Sequence, residues 1–189
     1  MIELIEKTGA ILIGTSDSHG GIYDESGLDI AQIVELKTNK KSLTEYKGGK
    51  QITNSELLEL ACDILIPAAL ENQITTDNVA NIKAKLIMEL ANGPITPDAD
   101  VALFARGIPV IPDILANAGG VTVSYFEQVQ NNANYFWSRE EVQAKLKLKM
   151  ETALAGVLHS AEEHHVMLRT GAYVVAMERI LEAMKVRGE

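Results

Sequence analysis

Four short apolar runs punctuate the first two thirds of the sequence. They are "AILIGTSD" (Ala10–Asp17), "DILIP" (Asp63–Pro67), "KLIMELA" (Lys85–Ala91) and "IPVIP" (Ile108–Pro112). Each is long enough for a strand, too short for a helix, and lacks the polar alternation of a half-solvated strand. Each therefore reads as a buried strand. Helix signals separate them. "GLDIAQIVELKTNKKSL" carries Ile30, Ile33 and Val34 at helical spacing, and Thr53 and Glu56 form a capping box before "NSELLELA". Thr75 or Thr76 precedes a predicted helix over "TDNVANIK". Thr96 followed by Pro97 opens another helix, and Gly107 ends it. Strands that alternate with helices pair in parallel through right-handed crossovers.

After Gly120 the pattern turns purely helical. Ser138 and Glu141 form a second capping box. It opens a long amphipathic helix with Val142, Leu146, Met150, Leu154, Val157 and Ala161 on one face. A last helix carries Val174, Met177, Leu181 and Met184, and Ile2–Lys7 reads as the tail of a helix. The fold class is therefore α/β. A mostly parallel sheet domain is expected over residues 1–130, with helices over 131–189 that pack back on it.

Composition narrows the function. Lys and Arg number 17 against 26 Asp and Glu, giving a formal net charge of −9. An acidic chain without a basic stripe is a poor ligand for nucleic acid. No apolar run reaches the roughly 18 residues of a membrane span. "MIELIEKTGA" is acidic and amphipathic, unlike a signal peptide. The lone Cys62 cannot form an internal disulfide, which points to the cytoplasm.

Ligands of open parallel sheets bind beyond the carboxyl ends of the strands. The residues found there are Ser16, Asp17 and Ser18, then Ala68 and Ala69, then Asn92, Gly93 and Pro94, and finally Asn117 to Gly120. They are small or polar and mostly uncharged, with no Ser-His-Asp set, P-loop or metal cluster. They suit a large, flat ligand that is held rather than attacked. Asp17 has two readings. An acidic residue about 20 positions beyond a Gly-rich turn accepts hydrogen bonds from a ribose in dinucleotide-binding folds. Asp17 also suits the turn "SDSHGG". "HSAEEHH" (His159–His165) lacks H-E-x-x-H spacing and reads as a solvated helix surface, not a metal site. Cys62 reads as a small core residue, "KTNKK" as an exposed helix end, and Tyr135, Phe136 and Trp137 as packing between the sheet domain and the long helix.

"PAALENQIT", "ELANGPITPDAD", "PDILANAGGVTVSYFEQVQN" and the ending "LRTGAYVVAMERILEAMKVRG" resemble the Glu/Leu/Phe/Val dehydrogenase family, and within it the glutamate dehydrogenases. The resemblance covers nearly the whole chain and corresponds to the nucleotide-binding half of the family. It implies a Rossmann-like sheet that lacks its first strand, and a cofactor that is NAD or NADP. It implies that Asp17 and Ser18 lie near the adenine ribose, that Ala68 and Ala69 pass beneath the ribose and diphosphate, and that Asn92 and Asn117 hold the nicotinamide end. Val121 and Ser124 would line the substrate side chain, with the Ser124 hydroxyl meeting the carboxylate of glutamate. Gly119 and Gly120 would let the backbone turn closely around the ligand.

The implied reaction is oxidative deamination of L-glutamate to 2-oxoglutarate and ammonia. The catalytic lysine and aspartate of the family would belong to a separate N-terminal domain, so no catalytic residue is assigned and the chain is expected to be inactive alone. A non-catalytic fragment or an interaction subunit of a split enzyme is the alternative. Self-association or a separate chain would then supply the missing half. A dehydrogenase of another amino acid is a further alternative, against which Ser124 argues, because a buried carboxylate needs donors. The missing first strand would leave a gap between the strand at Ala10–Ser16 and the strand at Asp63–Ile66. The gap would be closed by direct pairing of the two or filled by another chain.

Overall fold

The structure is a computed structural model and describes residues 7–188. All of the expected helix tail at Ile2–Lys7 except Lys7 lies outside the described residues. The chain divides into two compact units, residues 1–61 and residues 62–189.

The first unit departs from the parallel expectation. Its three strands, β1 (Gly14–Asp17), β2 (Gly20–Tyr23) and β3 (Lys50–Ile52), form an antiparallel sheet in the order β1-β2-β3. The run at Ala10–Asp17 is thus neither buried throughout nor a parallel strand. Ala10–Ile13 form no strand, Ile11 is exposed, and β1 is half-buried. The physical reason is the turn. Asp17 Oδ1 accepts the His19 N–H at 2.8 Å, and Gly20 takes a φ of +145° that glycine alone adopts readily. The chain therefore reverses at Ser18–His19, and the side that a parallel neighbour would take is given to β2. β1 and the strand at Ile64–Leu65 belong to different sheets, so direct pairing across a gap is not what the chain adopts.

Helix α1 (Ile30–Thr38) is capped by Asp29, which accepts the Gln32 N–H at 3.1 Å. It packs Ile33 against Ile22, Leu28 and Leu43, with Leu12 and Tyr46 at the margin. Helix α2 (Asn54–Leu58) begins at the expected capping box. Thr53 Oγ1 accepts the Glu56 N–H at 3.1 Å, and Glu56 Oε2 accepts the Thr53 N–H at 2.7 Å.

The second unit holds the parallel sheet. Strands β4 (Ile64–Leu65), β5 (Leu86–Met88) and β6 (Val110–Ile111) pair in the order β4-β5-β6, at three of the predicted positions. The expected helix after Thr75 is a single 3-10 turn at Val79–Asn81. Asn78 causes this: its Oδ1 accepts the Thr75 N–H and its Nδ2 donates to the Gln73 carbonyl, so the side chain competes with helical bonding. Helix α3 (Pro97–Ala105) follows β5 and buries Ala99 and Leu103. Arg106, just beyond it, donates to the carbonyls of Val79 and Ile82.

Four helices follow β6: α4 (Asp113–Ala116), α5 (Ala118–Ala133), α6 (Arg139–His164) and α7 (Leu168–Arg187). Gly119 and Gly120 lie inside α5 and turn nothing. A Cβ on Gly120 would meet open space. The capping box at Ser138 and Glu141 starts α6, and His165 in the left-handed region ends it. Leu115, Val157 and Ala172 form the core where α4, α6 and α7 meet. Trp137 packs edge-on against Phe126 and lies under the Lys145 ammonium. Tyr135 and Phe136 do not share this packing; both are exposed. Among the described residues no helix is long and apolar enough to cross a membrane.

Candidate functional site

The carboxyl ends of β4, β5 and β6 converge on three loops laced by backbone bonds. The N–H groups of Leu90 and Ala91 both donate to the Pro67 carbonyl at 3.0 Å. The Asn72 N–H donates to the Gly93 carbonyl at 2.9 Å, and Ile74 bridges Ile95 in parallel. Ala68 and Ala69 follow Pro67 and are exposed, so each presents only a methyl group to solvent.

Asn92 and Asn117 come from different loops and meet. Asn117 Nδ2 donates to Asn92 Oδ1 at 2.7 Å. Each amide offers both a donor and an acceptor, so one bond between them leaves an NH2 group on Asn92 and a carbonyl on Asn117. Neither has a protein partner among the described residues. A primary carboxamide is the complement of that arrangement.

Val121 and Ser124 lie three residues apart on α5, and both are exposed. The Ser124 hydroxyl is not unpaired: it donates to the Gly120 carbonyl at 3.2 Å. The NH2 group of Asn117 is likewise engaged, by Asn92, while its side-chain carbonyl oxygen has no partner among the described residues.

Asp17 and Ser18 belong to the first unit. Besides the His19 N–H, Asp17 accepts from Lys37 Nζ at 2.8 Å and from the Leu43 N–H at 3.3 Å. Partial burial pushes its pKa up, but these hydrogen bonds, that of Lys37 foremost, outweigh burial and hold it at about 2. Three of the roughly four lone-pair sites of the carboxylate are taken, which leaves one on Oδ1. Asp17 forms the turn of "SDSHGG" and remains a charged acceptor. Ser18 is exposed, with its hydroxyl 3.2 Å from His19 Nδ1. Lys37, read as part of an exposed helix end, is the residue that pairs with Asp17.

The residues that sequence reasoning missed are linked to the amide pair through Asp113 and Gly93. Arg169, at the start of α7, reaches Glu89, Asp100 and Asp113 at 2.8, 2.6 and 3.0 Å. Glu89 is fully buried just past β5. Burial pushes its pKa up, against the opposing pull of Arg169. The one signal available in the sequence was a glutamate inside the otherwise apolar run "KLIMELA", since a buried carboxylate demands a partner. His159, from the histidine cluster, lies 3.7 Å from Glu163 along α6. Cys62 is free and half-buried.

Comparison with known proteins places the chain in a family. The family model described as glutamate/leucine/phenylalanine/valine dehydrogenase matches residues 1–188. The glutamate dehydrogenase of Thermotoga maritima is 47% identical over 183 residues, covering 97% of this chain and 44% of its own length. The NAD-specific glutamate dehydrogenase of Staphylococcus aureus is 46% identical over 188 residues, covering 100% of this chain and 45% of its own length. Among solved structures, the hetero-hexameric glutamate dehydrogenase of Thermus thermophilus superposes with a TM-score of 0.88 at 30% identity, over 100% of this chain and 44% of that one. The chain thus spans under half the length of these relatives. It belongs to the glutamate/leucine/phenylalanine/valine dehydrogenase family.

Proposed function

We propose that this chain is the nucleotide-binding portion of an NAD(P)-dependent glutamate dehydrogenase, which interconverts L-glutamate with 2-oxoglutarate and ammonia. The observation that carries the reading is the Asn92–Asn117 amide pair at the carboxyl end of a parallel sheet. Its free NH2 and carbonyl fit the carboxamide of a nicotinamide ring. When bound, the nicotinamide supplies the hydride acceptor. Asn92 and Asn117 would orient it. Ala68 and Ala69, exposed and small, would admit the ribose and diphosphate close to the backbone. Asp17, with a charged oxygen still able to accept, and Ser18 would meet the adenine ribose. Val121 and Ser124 would line the substrate side chain. To donate to a carboxylate, the Ser124 hydroxyl must leave the Gly120 carbonyl, which costs one long hydrogen bond.

The functional division falls near residue 130. Residues 1–130 carry the cofactor surface, and residues 131–189 supply the closing helices. α7 exposes Tyr173, Met177, Ile180, Leu181 and Met184 along its length. That stripe supports self-association or docking with a separate chain. It also favours a second reading, a non-catalytic subunit that joins such a chain. The free Cys62 thiol supports a cytoplasmic location.

Titration of the purified 189-residue chain with NADH, followed by nicotinamide fluorescence, tests the reading. A saturable rise in emission is expected. No change up to millimolar NADH contradicts it. The chain alone is expected not to turn over glutamate with either cofactor, because proton transfer needs an acid–base group placed at the substrate, and no such group is assigned here.

A further inference from the structure

Arg169 opens the last helix, yet its guanidinium addresses three other elements. Nε donates to Asp100 Oδ2 in the first turn of α3, Nη1 to Asp113 Oδ1 at the start of α4, and Nη2 to Glu89 Oε1 just past β5. The fork of donors makes this possible; a lysine, which concentrates its charge at one point, cannot span the same three partners. The network reaches the amide pair through Asp113. Asp113 Oδ2 accepts the N–H of Gly93, the residue after Asn92, at 2.8 Å. The Asp113 carbonyl accepts the Asn117 N–H at 3.1 Å, and its own N–H donates to Glu89 Oε2 at 2.7 Å. Asp113 therefore touches both asparagine-bearing segments, and Arg169 Nη1 shares its Oδ1 with the Ile114 N–H while Gly93 holds Oδ2.

The geometry points to Arg169 as a positioning residue for the Asn92–Asn117 pair. By fixing Asp113 between Gly93 and α4, it sets the distance at which Asn117 Nδ2 meets Asn92 Oδ1, and so couples α7 to the loops after β5 and β6. The value of this for cofactor binding rests on the function proposed above; the amide geometry itself belongs to the chain without any ligand.

The test uses 15N NMR of the full chain without cofactor. The Asn117 side-chain amide is assigned by its disappearance in Asn117→Asp. In Arg169→Lys, exchange of the Asn117 Nδ2 protons with water is expected to rise about tenfold, the signature of one lost hydrogen bond. Backbone protection along α7 should hold, and Arg179→Ala, an exposed arginine on the same helix, should leave the Asn117 amide unchanged. Should Arg169→Lys fail to fold, Asp100→Asn, which loosens Arg169 at Nε and leaves Asp113 unchanged, gives the same readout. An Asn117 amide that exchanges at the wild-type rate in a folded variant overturns the proposal. NADH titration in parallel separates the two claims. A wild-type chain that binds no NADH refutes the functional reading, while the amide result still decides the positioning role. Wild-type binding that weakens about tenfold in the variant, together with the amide change, supports both.

Discussion

Asn117 Nδ2 donates to Asn92 Oδ1 at 2.7 Å, joining the helix start after β6 to the loop after β5. The bond leaves the NH2 group of Asn92 and the carbonyl oxygen of Asn117 without a partner among the described residues.

Linked to this pair through Asp113, Arg169 holds three carboxylates, of which Glu89 has no exposed surface. Arg169→Met is expected to cost about 3–5 kcal/mol in urea unfolding, because it strands a buried charge. The loss should shrink as the pH falls. Burial raises the pKa of Glu89, so this carboxyl takes up its proton early, and a neutral Glu89 no longer needs a cation.

Asp17 titrates in the opposite sense. Its pKa is lowered from 3.8 to about 2, so its contribution to stability is present above about pH 4 and is lost as the pH falls through about 2. Asp17→Asn should flatten that acid limb. Lys37 is half exposed, so the effect is small and fades with salt. Acid titration followed by circular dichroism, at low and high salt, checks this.

Gly171 lies where α7 crosses α6. A Cβ there would sit 3.0 Å from the Ala161 nitrogen and 3.1 Å from both the Ala161 Cβ and the Val157 carbonyl oxygen. Backbone cannot yield as a flexible side chain would. Gly171→Ala is expected to destabilise the second unit by about 1–3 kcal/mol, read as a lower urea midpoint.

Ser124 predicts a contrast. It is exposed, and its hydroxyl bonds only to the helix carbonyl of Gly120. Ser124→Ala should leave stability within about 0.5 kcal/mol. A measured cost well above that would give the hydroxyl a structural role and weaken its assignment to a substrate.

Local signals in the sequence were readable wherever neighbours decide the structure. Both capping boxes and three of the four expected parallel strands stand where their residues predict, and Asn92 and Asn117, from the loops after two of those strands, meet through one hydrogen bond. The failures have identifiable causes. At Asp17 a side-chain-closed turn converted an apparent parallel strand into a hairpin. At Gly119–Gly120 the helix runs through residues that favour turns, and a Cβ on either glycine would meet no side chain closer than 4.0 Å among the described residues. Glu89 and Arg169 stand 80 residues apart, and no periodicity connects them. Long-range ion pairs leave only an indirect trace, a charged residue within an apolar run.

The most direct test of the central claim is side-chain amide NMR of the 15N-labelled chain during titration with NAD. The account predicts that the NH2 resonances of Asn92 and Asn117 shift together and saturate with the same dissociation constant. Saturable NAD binding that leaves both amides unmoved would contradict it.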